Sequence, residues 1–357
     1  MYTYFVPVFA QRLGATFLEL AYIGTAYSLV YAVAPIFVGG LADRVNRRYL
    51  YVLAIIINFV ATIALAFSRS VSEIIVIRAL AGLGLAFFWP ITEILALQLA
   101  QRHSQVRELG LYSVSWGSAY LIGPALGGII IEHFGFRDLF VVSSALMIGA
   151  LMVGIYLRFD YNPKGTKKGS FEGQFHVMRE LLPWYFMIAF YGVVFSIVTT
   201  MFPGYASLTG ISAESIGILF TAFGTVRVLV YATEHYVHFG EKKALVSAAF
   251  LISVGSGIMV LFPNFSAFLI AIVIIGGCFA IIYPLCMSLV SRHFSDAQTG
   301  AAVGSYESVY GMGSAIGPMI AGVLATVSDP RMSFVSVSIF AVLMMIVAAF
   351  ARTFSND

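Results

Sequence analysis

Charge is scarce in this chain. Only 10% of its 357 residues are Asp, Glu, Lys or Arg, where an ordinary globular domain carries about 25%. With 60% of residues hydrophobic and a mean hydropathy of +0.93, that scarcity excludes a soluble fold. Cysteine is rarer still, limited to Cys278 and Cys286. Their spacing inside one apolar stretch is about 12 Å on a helix, too far for a disulfide. Two thiols without a nearby His or further Cys do not make a metal site, so neither metal nor other cofactor is expected. The 20 Lys and Arg form no basic stripe, which excludes nucleic acid as a partner. H-E-x-x-H, G-x-S-x-G and G-x-x-x-x-G-K-[ST] patterns are missing, so neither an enzyme nor an ATP-driven pump has support. The histidines (His103, His133, His176, His235, His238 and His293) all lie in or beside loops. Met1–Ala10 has no basic n-region, so no cleavable signal peptide is expected there.

What the chain does have is long apolar runs. A short one covers about 1–10. Longer ones follow at about 18–41, 49–67, 72–98, 109–131 and 139–157, and then at 182–202, 214–235, 244–262, 266–290, 301–327 and 333–351. Each long run suits a membrane-crossing helix of roughly 20 residues. The reading is an all-α integral membrane protein of twelve transmembrane helices. Residues 1–157 form an N-terminal six-helix bundle, 158–180 a charged cytoplasmic linker and 181–357 a C-terminal six-helix bundle.

Orientation follows from basic residues in the loops. One side carries Arg44, Arg47, Arg48, Arg102, Arg107, Arg158, Lys164, Lys167, Lys168, Arg179, Lys242, Lys243, Arg292 and Arg352; the other carries only Arg12, Arg69, Arg137 and Arg331. The linker and C-terminus are therefore expected in the cytoplasm, and the protein in the plasma membrane.

The two halves repeat. GLYSVSWGSAYLIGPALGG from Gly110 and GSYESVYGMGSAIGPMIAG from Gly304 share Gly, Gly, Gly-Pro and Gly at one offset of 194 residues. The same offset places Pro90 on Pro284 and Gly82 on Gly276, while an offset of 193 places Ile23-Gly24 on Ile216-Gly217. Two parallel repeats of six helices follow from these coincidences.

This layout resembles the major facilitator superfamily. The loop after the second span makes the resemblance specific: Gly39-Gly40-Leu41-Ala42-Asp43-Arg44-Val45-Asn46-Arg47-Arg48 matches that family's G-x-L-A-D-R-x-G-R-R motif except at Asn46. Asn tolerates left-handed backbone, so the turn is expected to survive the exchange. In the second half the matching segment, Tyr236–Lys243, keeps Gly240 and basic residues but has no Asp. The resemblance implies a conformational latch of Gly39, Asp43, Arg44, Arg47 and Arg48, with Asp43 near the start of the eleventh span and Arg47 paired to Glu93. Read without it, these charges are a positive-inside anchor.

Gly110, Ala119, Gly123, Pro124, Gly127 and Gly128 also resemble the fifth-span motif of the family's drug–proton antiporters, G-x8-G-x3-GP-x2-GG, with one Gly-to-Ala change. Gly304, Gly313, Gly317, Pro318, Ala321 and Gly322 echo it in the second half. Physically these are close-packing positions on a bent span. Arg78-Ala79-Leu80-Ala81-Gly82-Leu83-Gly84 is similar to the family's R-x-x-x-G-x-G motif, whose Arg is associated with proton transfer.

Ionisable residues inside spans are expensive and point to function. Glu93 and Glu234 stand near cytoplasmic ends, where snorkelling or latch pairing accounts for them. Arg78, Arg227 and Glu307 are deeper and are the proton-coupling candidates. Glu307 has Ser113 as its counterpart in the first half, so it breaks the repeat. Two readings stand: a proton carrier, or a static ion pair with Arg227. Candidate cavity residues are Tyr4, Asn58, Trp89, Trp116, Tyr120, Tyr191 and Tyr283, a lining suited to amphipathic or cationic organic molecules.

The resemblance thus implies a monomeric secondary transporter working by alternating access, with protons as coupling ion and a small amphipathic or drug-like substrate moving outward. The alternatives are a proton symporter taking up a sugar, organic acid or other small solute, with Thr199 and Thr200 as its best polar side chains, and a non-transporting receptor or scaffold on the same fold. Pro7 and Gly14 align with Pro203 and Gly210 at an offset of 196, which leaves the start of the seventh span without a partner before Met1. The first helix is therefore expected to be short of its opening turns.

Overall fold

Backbone amides in lipid must be satisfied within their own segment, which makes long apolar runs helical. The computed structural model bears this out. It describes residues 1–42, 45–102, 105–156, 181–233, 240–291 and 299–351, without the side chains of 36, 39, 40, 42, 93–102, 105–114, 232, 233, 291 and 299–303. A 3₁₀ turn (Thr3–Phe5) leads into α1 (Val6–Arg12), followed by α2 (Phe17–Ala42), α3 (Arg47–Phe67), α4 (Val71–Arg102), α5 (Gln105–His133) and α6 (Phe136–Tyr156). The second half holds α7 (Leu182–Leu208), α8 (Ala213–Thr233), α9 (Glu241–Leu261), α10 (Phe265–Ser291), α11 (Thr299–Val327) and α12 (Met332–Phe350). Among the described residues, ten helices are long and apolar enough to cross a membrane.

The spans differ from the sequence reading mainly at a proline. The seventh apolar run is read as ending before Pro203, yet α7 continues through it to Leu208. Inside a membrane bundle, neighbouring helices re-satisfy the backbone groups a proline frees. Pro35, Pro90, Pro124, Pro284 and Pro318 likewise sit within helices.

Asn46 also departs from expectation. Its φ is −58°, outside the left-handed region. It serves instead as the N-cap of α3, its side chain accepting from the Arg48 amide at 3.0 Å. Gly240 occupies the same place before α9 with φ −57° and no side-chain cap.

Packing corrects the register of the repeat in its second span. Gly82 lies against the Tyr27 carbonyl, and Gly276 against the Phe223 carbonyl. Gly311 meets Ala32, and Gly117 meets Val228; Gly322 meets Ala21, and Gly128 meets Gly217. Each comparison shifts the glycine by 194 residues, forward from α4 to α10 or back from α11 to α5, while its α2 partner advances by 196 to reach α8. The 193-residue match of Ile23-Gly24 is therefore out of register, since Gly217 takes the place of Ala21. Gly14 and Gly210, also 196 apart, are both in left-handed turns, with φ of +91° and +85°.

Within the first half α4 packs on α2 and α3, and α3 on α6; within the second, α10 packs on α8 and α9, and α9 on α12. The halves meet along two seams, α2 against α11 and α5 against α8. Both seams are built on glycine. At the end where α2 and α8 begin, Gly322 abuts the Phe17 carbonyl and Gly128 the Ala213 carbonyl. That end of the interface is closed by backbone lying on backbone.

Candidate functional site

Glu307 projects from α11 into the α2 seam and is only 2% exposed. A carboxylate there needs donors, and two tyrosines supply them. Tyr31 of α2 donates its hydroxyl to Oε2 at 2.8 Å, and Tyr283 of α10 donates to Oε1. Tyr306 in turn donates to the Tyr283 carbonyl at 2.6 Å. Glu307 is thus held by one hydroxyl from each half of the molecule.

Arg227 of α8 is 8% exposed and makes no ion pair with Glu307. Its Nη2 donates to the Tyr231 hydroxyl at 3.3 Å, and its Nε has no hydrogen-bond partner. Its charge is met by rings. The guanidinium carbon lies 5.7 and 5.6 Å from the centroids of Trp116 and Tyr120 on α5, 5.8 Å from Phe195 on α7 and 5.4 Å from Phe223 on α8. All four distances fall within the range of a cation–π contact. This cage draws on both halves.

A row of rings joins the two centres. Phe195 is 5.9 Å from Tyr191, and Tyr191 is 5.7 Å from Tyr283, centroid to centroid. Tyr310 closes the row, 6.1 Å from Phe195 and 6.3 Å from Tyr31. The result is an aromatic core with a cation at one end and an acid at the other.

Of the sequence candidates, Trp116 and Tyr120 join Arg227, Tyr283 joins Glu307, and Tyr191 stands in the row of rings between the two centres. Tyr4 stacks on Phe220 of α8, with centroids 3.9 Å apart. Asn58 does not belong with them. It is buried in the α3–α4 contact, donating to Ala54 O at 2.9 Å and lying against Gly84. Trp89 touches Phe88, which packs on Tyr51 of α3. Arg78 is 6% exposed, with its guanidinium carbon 4.1 Å from the Tyr27 centroid and Nε unpartnered. It stands at the α2–α4 contact, separate from the Arg227 cage.

Tyr31, Tyr231, Phe195, Phe223 and Tyr310 escape a sequence search for charge or for isolated Trp and Tyr. The corrected register offers one signal: at an offset of 196, Tyr31 falls on Arg227. In the packing motif, Gly313 lies against the Ala189 carbonyl, Gly317 against the Val193 carbonyl, and Gly123 and Gly127 against Met1. Pro318 meets Gly24, and Pro124 presents its carbonyl to Gly217, whereas among the described residues nothing approaches Gly304. The surroundings of Gly110, and of Gly39 and Glu93 in the latch, lie outside the described residues, as do Asp43 and Arg44 entirely. Arg47 and Arg48 open α3.

Comparison with known proteins agrees with this architecture. The family model for the Major Facilitator Superfamily matches residues 1–233 and 185–356. The quinolone resistance protein NorA of Staphylococcus aureus is 25% identical over 332 residues, spanning 89% of this chain and 84% of that protein. The multidrug resistance protein MdtG of Salmonella paratyphi A is 29% identical over 170 residues, 46% of this chain and 42% of that one. A crystal structure of a mutant of the nucleoside transporter NupG superposes with a TM-score of 0.82 at 10% identity, covering 99% of this chain and 96% of that one. That likeness concerns the fold.

Proposed function

This chain belongs to the major facilitator superfamily, and from that premise we propose that it exports small amphipathic, drug-like molecules in exchange for protons. The observation that carries the coupling is Glu307, buried at the seam and bonded by hydroxyls from both halves. A carboxylate so placed can hold the halves together through Tyr31 or accept a proton and weaken that hold. Alternation between two arrangements of the halves then follows protonation. The aromatic core beside it suits ring-bearing substrates. NorA and MdtG, whose names record drug resistance, support the substrate class.

Uptake of a sugar or similar polar solute has less support. Of its two best polar candidates, Thr199 and Thr200, the first spends its hydroxyl on the Phe195 carbonyl of its own helix at 2.8 Å. The excess of Lys and Arg in the linker-side loops supports a plasma-membrane protein with linker and C-terminus in the cytoplasm. The protein works as a monomer, since each half supplies part of one central site.

The experiment is dye expulsion from proteoliposomes under an imposed pH gradient. Wild type expels a cationic dye as protons enter. Glu307→Gln abolishes the gradient-driven component while leaving dye exchange at equal pH. Full gradient-driven transport by that variant would remove Glu307 from the mechanism.

A further inference from the structure

An arginine in a membrane interior is costly, and an acid normally offsets it. Arg227 has none among the described residues. Its polar contact is a tyrosine hydroxyl, its Nε is unpartnered, and rings surround the rest of the guanidinium. The repeat sharpens the point. At the equivalent position of α2 stands Tyr31, which does find an acid in Glu307. The counterpart of Glu307 on α5 is Ser113, so the acid that symmetry would place opposite Arg227 is missing from the sequence.

We propose that Arg227 is the binding site for the carboxylate of an aromatic substrate, so that the transported molecules are aromatic zwitterions with the negative end at Arg227 and the positive end toward Glu307. A guanidinium binds a carboxylate through paired charge-assisted hydrogen bonds, which the unpartnered Nε edge is free to offer. Trp116, Tyr120, Phe195 and Phe223 supply faces for the substrate's rings. Because α5 and α7 carry cage members on opposite halves, separation of the halves uncovers the guanidinium.

The positive end follows from the coupling described above, on which this part of the inference rests. A purely anionic substrate would bind better once Glu307 is protonated, favouring movement of substrate and proton together. An ammonium or iminium group near Glu307 competes with the proton instead, which is the relationship exchange requires. The row from Phe195 through Tyr191 to Tyr283 gives such a molecule an aromatic track between its two charges.

Rhodamine B, a zwitterion with a free carboxylate, and its ethyl ester, a cation with the same ring system, form the matched probes. Equilibrium binding to purified protein in nanodiscs is measured for each, separately from transport. The free acid should bind about tenfold more tightly than the ester, the size of one lost charged contact. Arg227→Gln should erase the preference, and Arg227→Lys should keep part of it. Equal binding, tighter binding of the ester, or binding of neither overturns the inference, and the wild-type comparison decides even if a variant does not fold. Proton-driven expulsion of the ester alone would overturn it while leaving proton-coupled export standing. Acid-selective binding without proton-driven expulsion of either dye would do the reverse for the carboxylate site.

Discussion

Tyr31 and Glu307 are joined by a 2.8 Å hydrogen bond that crosses from one six-helix half to the other. Tyr31 lies on α2 and Glu307 on α11, the two helices of one glycine-lined seam. A hydrogen bond to a charged group contributes about 1.5–3 kcal/mol. Tyr31→Phe therefore weakens the closed seam without removing its ring contact to Tyr310. The population with separated halves should rise about tenfold. Spin labels on the α2 and α11 ends read this directly, and an unchanged distance distribution would sever the link between this bond and opening.

The glycines of the packing motif are not equivalent. A methyl group at Gly313 would run into the Ala189 carbonyl, whereas one at Gly304 meets nothing within 4 Å among the described residues. Gly313→Ala should cost about 1–3 kcal/mol through overpacking and lower the thermal midpoint in detergent. Gly304→Ala should be neutral or slightly stabilising, because alanine is the better helix former by about 1 kcal/mol. Equal melting of the two variants would contradict the packing account.

Asn46 tests the loop motif on different grounds. As N-cap of α3 it satisfies the Arg48 amide. Asn46→Ala should lose about 1 kcal/mol, while Asn46→Gly, restoring the family's usual residue, should lose only a few tenths. Thermal melts of both variants check the order. Were glycine the worse of the two, the side-chain cap would have to be supplemented by another role for Asn46.

Much of this architecture is legible before any coordinates. Helix positions follow from apolar runs because lipid leaves the backbone no other choice, and the two-half arrangement follows from the Gly-Pro spacing of α5 and α11. Proline misleads at Pro203, where the rule for soluble helices does not transfer to a membrane bundle. The second-span register misleads for another reason. Ile23-Gly24 and Ile216-Gly217 match as letters, but what α2 and α8 share is the backbone surface presented to Gly82 and Gly276, which needs no residue identity. The site is half legible. Glu307 and Arg227 announce themselves by cost, whereas their pairing with each other is the natural guess that the tyrosines displace. Phe195 and Phe223 are two of 31 phenylalanines, and nothing in the sequence separates them from the other core rings.

The glycine seams have a mechanical consequence. Where Gly311 rides on Ala32 and Gly128 on Ala213, the glycine itself offers no side chain that must disengage before one half turns against the other. At those points the surface behaves as a plain bearing, with little intrinsic preference for any angle. Among the described residues, the contacts that span it and can set the angle include Thr25 to the Ala315 carbonyl at 2.8 Å, Tyr31 to Glu307, and the rings of Trp116 and Tyr120 about Arg227. In a joint of this kind, a change at any one of these contacts shifts the balance between angles.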